Sequence, residues 1–583
     1  MKKYIVILSF AFLMGCSEEF LSVDNPNALT PSAFPTSAAD LESILIGVYG
    51  TQHGYGLYGH TILAKGYHVW DHTMNLAWQG TQTWINQAQN DTRPSDEFLK
   101  DIWKDSYKGV IRANSLLESV EGFRSGEVKP ATAVTGDQLD KFEGQALYLR
   151  AWFYYNLIII FGEDIIINGQ GRDAMGVPIV LKTANSVSET FVGRASVGEV
   201  WDQIKDDLQK SLALMGTTTW SGADRFKINQ WGLKGLLGKV YALTGDWETA
   251  KGYLKDVIDN SGKSLVPFNV YKNMYNSDPA NEFNSESLIE IALEDDNVGR
   301  SNDETSLGSW YASIVAPSIV INDLPLASSW SNEFIHEKNL ARFGFTQDHY
   351  FQDGVVEPRA SNVRPGYVTE ALALRADPLN SPVDPRLYIA GFQPYADSIM
   401  ADGKKTAISH FADGVEVNRP AWSFRKYVNV TERQRLIRDS GANFYLLRLA
   451  DVYLLYAEAS IETGDIATGL EYINKVHRRA YNLPVDAPHP SDYVTLTDAT
   501  KAVGDPELGN NVLRYERFVE LFGEGQKWTD TRRWKNGSAE AAIYQTVRGG
   551  TINWEDTDYA QPIPTLEIEN NVAINFSDQN PGY

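Results

Sequence analysis

One pattern constrains this chain more than any other: a Gly-Asp pair set between two amphipathic runs, used twice. In the stretch 443–481, Leu446, Leu449, Tyr453, Tyr456 and Ser460 recur at three- and four-residue steps, and Leu447, Leu454 and Leu455 form a second apolar stripe. This is helix periodicity, and a helix apolar on two faces is sandwiched between neighbours. Gly464-Asp465 breaks the run: glycine tolerates the left-handed conformation past a helix end, and aspartate caps the next helix. Ile466, Leu470, Ile473 and Val476 give that next helix an apolar face. The stretch 231–258 repeats the device with Gly245-Asp246. Gly238 and Tyr241 take the packing positions of a tetratricopeptide first helix, and Ala250 and Leu254 those of its second. Such hairpins need partners on both sides. They predict a mainly α fold of stacked helix pairs, spaced too irregularly for a pure repeat array.

The same periodicity predicts helices over 38–49, 97–120, 138–161, 197–215, 510–522 and 528–534. Between the two hairpins, over 265–442, the rhythm fades. Glycine, proline and asparagine are frequent there, and 289–292 reads as a strand. This segment is too long for one loop. It is expected to form an irregular, loop-rich lobe of short strands and helices packed on the helical scaffold.

With 583 residues the chain can bury a large core, and length alone allows several domains. A net charge of −23 argues against nucleic acid, whose affinity depends on neutralising phosphate, and disfavours a strongly anionic polymer. A local basic patch could override that sign, because screening limits the reach of charge to about 8 Å at physiological salt. The single cysteine, Cys16, rules out an intramolecular disulfide and any cysteine-based zinc or Cys-x-x-Cys site. It follows Lys2-Lys3, an apolar run over 4–13, and Leu13-Met14-Gly15. That run is too short to span a bilayer, and the arrangement predicts a lipoprotein signal over 1–15, cleavage before Cys16 and lipidation of Cys16. Several acyl chains anchor stably where one would be marginal. A polar, proline-bearing tether follows over 16–35.

The chain resembles the SusD/RagB nutrient-binding lipoproteins of bacterial outer membranes. The residues that carry the resemblance span nearly its whole length. They are Cys16 with Ser17-Glu18-Glu19, Gln145-Ala146-Leu147-Tyr148-Leu149-Arg150-Ala151, Gly176-Val177-Pro178, the run Leu447-Arg448-Leu449-Ala450-Asp451 on to Glu458-Ala459, Glu516-Arg517-Phe518-Val519-Glu520-Leu521-Phe522-Gly523-Glu524-Gly525, Asp530-Thr531-Arg532-Arg533-Trp534 and Asn580-Pro581-Gly582-Tyr583. The resemblance implies a single body over 36–583: a scaffold of about four tetratricopeptide-like helix pairs (36–264 and 443–583) with the lobe 265–442 bearing part of the ligand site. It further implies surface export, a carbohydrate ligand, no cofactor, and a partner, a SusC-like TonB-dependent outer-membrane barrel over which the protein sits as a lid. Most of the motif residues are expected to be structural. Arg448, Asp451 and Glu458 stand at helical spacings and could pair locally, and Arg532, Arg533 and Trp534 could pack on a neighbouring helix.

A saccharide offers hydroxyls and an apolar C–H face, so its site needs flat aromatic surfaces and planar polar groups. The stretch 50–93 mixes Trp70, Asp71, Asn75, Trp78, Gln82, Trp84, Asn86 and Arg93 without a sustained apolar period. The resemblance implies that one part of a glycan platform lies here and another in the lobe, near Trp310-Tyr311 or Trp330. Trp84 and Trp310 lead the candidates, followed by Trp78, Trp330, Asp71, Asn75, Asn86, Arg93 and Tyr311; the competing expectation is that these tryptophans are core. The acidic run Asp295-Asp296-Asn297 with Asp303-Glu304 lacks the register of a calcium loop and reads as a solvated surface. Enzyme motifs fail. His336-Glu337 opens a zincin pattern, but Leu340 stands where its second histidine belongs; Gly262-Lys263-Ser264 lacks the glycine five residues earlier, where Val257 stands; and no Gly-x-Ser-x-Gly elbow occurs. The reading is therefore a non-catalytic glycan-binding lipoprotein. The alternatives are a peptide-binding lid of the RagB type and, behind it, a glycoside hydrolase.

Overall fold

Ten principal helices carry the molecule: α1 (Ala38–Gly50), α2 (Glu97–Ser125), α3 (Gly136–Phe161), α4 (Val197–Met215), α5 (Gln230–Leu243), α6 (Trp247–Asn260), α7 (Leu449–Glu462), α8 (Ile466–Ala480), α9 (Val512–Leu521) and α10 (Gln526–Trp534). The structure, a computed structural model, describes residues 34–76, 82–130, 132–167, 169–294, 307–317, 320–321, 324–325, 330–346, 352, 362–401, 404–408, 421–428, 440–547 and 550–583. Cys16, Trp78 and the acidic run at 295–304 lie outside them. Among the described residues, no helix is long and apolar enough to cross a membrane.

Local chemistry sets the helix ends. Asp96 caps α2 by accepting from the Phe98 amide at 2.8 Å, and Thr135–Gln138 and Ser196–Glu199 form capping boxes on α3 and α4. The two Gly-Asp turns are equivalent. Gly245 and Gly464 take φ of +75° and +87°, and Asp246 and Asp465 accept from the amides of Thr249 and Thr468, each at 3.2 Å. From α2 to α6 each helix packs on the next; α6 then packs on α7, and α7 on α8, so the two hairpins stack as one tetratricopeptide-like scaffold. Gly238 is where α5 and α6 touch: a Cβ there would lie 2.6 Å from the Leu254 side chain.

The lobe is thus inserted between α6 and α7, two helices that are packing neighbours. Its entry and exit are joined by antiparallel strands, Ser287–Ile291 against Phe444–Arg448. Here the structure corrects the sequence reading: 444–448 is strand, and α7 begins only at Leu449. An apolar run as short as Phe444–Leu447 serves a buried strand or a helix equally, and pairing with a segment more than 150 residues distant decides between them. The lobe's other strand contact with the N-terminal part pairs Met74–Leu76 with Glu333–Ile335.

Buried ion pairs link the elements over long range, replacing the local pairing expected along α7. Every donor of Arg448 is used: Nε to Glu524, Nη1 to Glu286 and Glu520, Nη2 to Glu524 and the Glu520 carbonyl, all within 2.7–2.8 Å. Arg479 joins the same two carboxylates, Glu286 and Glu520. Asp451 binds Lys239 of α5 and Arg517 of α9, while Glu458 receives Arg533 and Trp534.

Candidate functional site

The turn at 54–61 is built on three glycines that hold it against α2. A Cβ on Gly56 would lie 2.1 Å from the Asp101 carbonyl, and one on Gly59 would lie 2.1 Å from the His53 carbonyl. The Gly56 amide donates to Asp105 at 2.7 Å. The lobe is stitched onto this turn. The Ser309 hydroxyl donates to the Tyr58 carbonyl (2.6 Å) and the Trp310 amide to the Gly59 carbonyl (2.8 Å), while Ser309 and Ser440 exchange backbone bonds of 2.9 and 2.8 Å. The Trp330 amide then donates to the Ser313 carbonyl at 2.7 Å.

These bonds bring four rings together. Tyr55 stacks on His60 with centroids 4.3 Å apart; His60 and Tyr55 meet Trp310 edge-on at 5.4 and 6.4 Å; and Trp310 meets Trp330 at 5.8 Å and 69°. Trp310 is 7 % exposed and serves as the backing, whereas Trp330 is 44 % exposed. The result is an aromatic corner at the junction of turn and lobe, with one open indole and a half-buried phenol. Burial, reinforced by Asp101 and Glu97, pushes the Tyr55 hydroxyl up to about 12, and burial holds His60 well below the usual histidine range. Near neutral pH both are therefore uncharged, and the corner presents neutral aromatic surface.

The other candidates lie elsewhere. Trp84, on the short helix Gln82–Ala88, is 5 % exposed, packs edge-on to Phe98 and is covered by the Lys65 ammonium 5.1 Å from its ring centroid, so it offers no stacking face. Tyr311 is buried between His68 and Phe444. Asp71 is buried, accepts from the Thr73 amide at 2.9 Å, and is shifted upward by burial. Asn86 is buried beside Gln82. Asn75, half-buried in its strand, accepts from the Leu76 amide at 2.9 Å. Arg93 is on the surface, 3.5 Å from Asp91. Of the candidates the structure describes, only Trp310 and Trp330 meet in one exposed arrangement. Tyr55 and His60, which complete it, were not singled out by residue type; the Gly54, Gly56 and Gly59 spacing around them is the signal that a tight, close-packed turn sits there.

Known proteins match this architecture along its length. A family model described as "SusD family" matches residues 384–583, and one described as "Starch-binding associating with outer membrane" matches residues 19–242. A SusD-like protein, P25, of Formosa agariphila is 22% identical, with 99% of each chain aligned. A crystal structure of a SusD-like protein from Bacteroides fragilis superposes with a TM-score of 0.67 at 18% identity, covering 95% of this chain and 99% of the other. A structure titled as a laminarin-binding SusD-like protein superposes with a TM-score of 0.63 at 20% identity, covering 94% and 99%. In motif order, helical scaffold and inserted lobe, this chain belongs to the SusD family.

Proposed function

We propose that this protein is a cell-surface lipoprotein, anchored through Cys16, that captures a nutrient oligosaccharide at the Tyr55–Trp310–Trp330 corner and delivers it to a TonB-dependent outer-membrane barrel. The observation that carries the reading is the open Trp330 indole standing on the buried Trp310, where the N-terminal turn and the lobe are stitched together. A rigid aromatic face with a polar edge suits the C–H face of a sugar ring. The outer-membrane description of the family model that matches 19–242, and the laminarin-binding neighbour, support the same ligand class. Binding alone accounts for this chemistry. His60 stays neutral and Tyr55 titrates far above neutrality, so neither is matched to acid–base work near neutral pH. Modest affinity suits a protein that must release its ligand.

The test is calorimetry of soluble protein starting at Ser17 against neutral oligosaccharides, acidic oligosaccharides and peptides. Saccharide binding is expected, weakened about tenfold or more by Trp330→Ala through lost stacking and apolar contact. Trp84→Ala should lower stability and leave the affinity of the folded protein unchanged. Binding of peptides alone would assign the lid to the peptide class, turnover of a bound oligosaccharide would make the protein a hydrolase, and unaltered binding by Trp330→Ala would remove the corner from the site.

A further inference from the structure

A second cleft lies on the lobe, built by different residues from those of the aromatic corner. It has a volume of about 190 Å³ and is open on one side. Tyr275, Ile389, Phe392, Ile399 and Val428 form its apolar floor, and Lys272, Asn273, Asn276, Ser398 and Arg425 its rim. It is smaller than a site that encloses a drug-sized molecule, and suits one sugar unit with its substituent.

The unused groups on the rim are donors. Arg425 lies over the Phe392 ring at 5.1 Å and spends Nη1 on the Tyr388 carbonyl (3.2 Å) and on Asp397 (3.3 Å); its Nε and Nη2 make no hydrogen bond among the described residues. The Asn276 side-chain oxygen is taken by the Asp278 amide and Asn281, at 3.1 and 3.0 Å, which leaves its NH₂ unused among the described residues. Lys272 is exposed and has no ion pair among the described residues. Asp397, the one carboxylate that Arg425 reaches among the described residues, is already held by Arg375 through two bonds of 2.9 and 3.0 Å and by the Gln393 amide at 2.6 Å. Two guanidinium groups therefore share one carboxylate, and Lys272 adds a third positive charge. Burial lowers the Arg425 guanidinium below its ordinary range, Asp397 opposing and Arg375 adding to the shift, as expected of a cation that its surroundings under-compensate. In a chain of net charge −23 this local excess runs against the overall sign.

We propose that this cleft is a second saccharide subsite, selective for a sugar bearing an anionic substituent, a carboxylate or a sulfate ester, which Arg425 and Lys272 grip while the ring rests on Ile399. Arginine binds such oxyanions through paired hydrogen bonds to two of their oxygens, and a partly desolvated charge strengthens them. The inference rests on the reading that the protein binds saccharide, but on residues that reading does not use.

The experiment is calorimetry of the soluble chain with a uronate oligosaccharide, a sulfated monosaccharide and the neutral oligosaccharide that binds best, on the wild type, Lys272→Gln, Arg425→Gln and Trp330→Ala. Both acidic probes are expected to weaken about tenfold with Arg425→Gln and less with Lys272→Gln, and to weaken as salt rises from about 0.1 to about 1 M. The neutral ligand should ignore both changes. A carboxylate site and a sulfate site are told apart by which probe responds. Lys272 is exposed, so its substitution keeps the test meaningful if Arg425→Gln fails to fold. Acidic probes that bind both variants as they bind wild type, or fail to bind while the neutral sugar binds, overturn this proposal and leave the aromatic corner intact. Absence of binding by every saccharide overturns both.

Discussion

Glu333 shows how much a single residue can depend on its surroundings. It sits on the strand that follows Trp330 in the chain and pairs with Met74–Leu76, fully buried, and neither carboxyl oxygen makes a hydrogen bond of ordinary geometry among the described residues. His68 Nδ1 lies 3.4 Å away, and the Trp84 indole is its other polar neighbour. Burial drives Glu333 well above the usual carboxylate range, with Lys65 only partly opposing, and burial brings His68 down to about 3. At neutral pH His68 is therefore uncharged, and burial biases Glu333 toward its protonated form. A carboxyl with a raised folded-state pKa stabilises fully below its unfolded value of about 4.3 and loses that stability as pH rises through the folded value. Glu333→Gln removes the titration while keeping the shape. Its unfolding free energy should match the wild type near pH 4 and exceed it increasingly toward pH 8, by about 1 kcal/mol or more given the desolvation of an unpaired carboxyl. Denaturant unfolding across that range reads this directly, and parallel curves would show that Glu333 is ionised in the fold without penalty. The same residue scale explains why the binding candidates were hard to rank. Trp84 and Trp330 are the same residue type among similar neighbours. The difference between a covered ring and an open one is made by Lys65, Phe98 and the turn at 54–61, none of which a residue type announces.

Between elements, the most informative feature is the ion network at the strand end of α7. Arg448 stands where Phe444–Arg448 gives way to the helix, and it joins Glu286, just before the partner strand, to Glu520 and Glu524 at the end of α9. Arg386 joins Glu516 and Glu520 from the lobe side. Removing one partner strands buried carboxylates, so Arg448→Met should cost about 3–5 kcal/mol in unfolding free energy. Arg386 and His477 outweigh burial and bring Glu516 down to about 2, and Arg479, Arg448 and Arg386 bring Glu520 lower still. These carboxylates contribute stability that is fully present above their unfolded pKa of about 4.3 and is lost as pH falls toward 2. The Arg448→Met deficit should therefore shrink in acid; a deficit constant from pH 7 to pH 3 would assign it to lost packing. The hairpins were legible from sequence because their determinants are local: a positive φ at Gly245 and Gly464, and a cap from the next aspartate. The strand at 444–448 was not, because its identity depends on pairing with 287–291, and neither were the partners of Asp451 and Glu458, whose helical spacing suggested local pairs while their charges are met by α5, α9 and α10.

For the whole molecule, the chain's last residues return to its first long helices. The C-terminal end of α3 has carbonyls that no residue within the helix can satisfy, and distant side chains take them, Arg532 and Asn580 foremost. Arg532 donates to the carbonyls of Ile158, Ile159 and Gly162, and Asn580 donates to those of Phe161 (2.9 Å) and Gln561 (2.7 Å), while its own oxygen accepts from Arg194 at 2.7 Å. Asn580 is 419 residues from Phe161, yet it is almost wholly buried. This closure ties the scaffold that follows the lobe to a helix that precedes it. Asn580→Leu leaves the Gln561 carbonyl and part of Arg194 without partners among the described residues and the Phe161 carbonyl with only Arg194 at 3.5 Å, and Arg532→Met leaves the Gly162 carbonyl without one while those of Ile158 and Ile159 keep only the Gly162 amide and the Trp528 indole. Each should destabilise by about 2–4 kcal/mol. Because both act on one helix end, the double variant should lose less than the sum of the two, the difference being the coupling. Hydrogen exchange should show the last turn of α3 and the segment 561–583 losing protection together in either single variant. Full additivity, with α3 protected in Asn580→Leu, would mean that the tail is merely laid against the scaffold, and the two halves would then be held together without it, by the α6–α7 packing and links such as the Lys239–Asp451 pair.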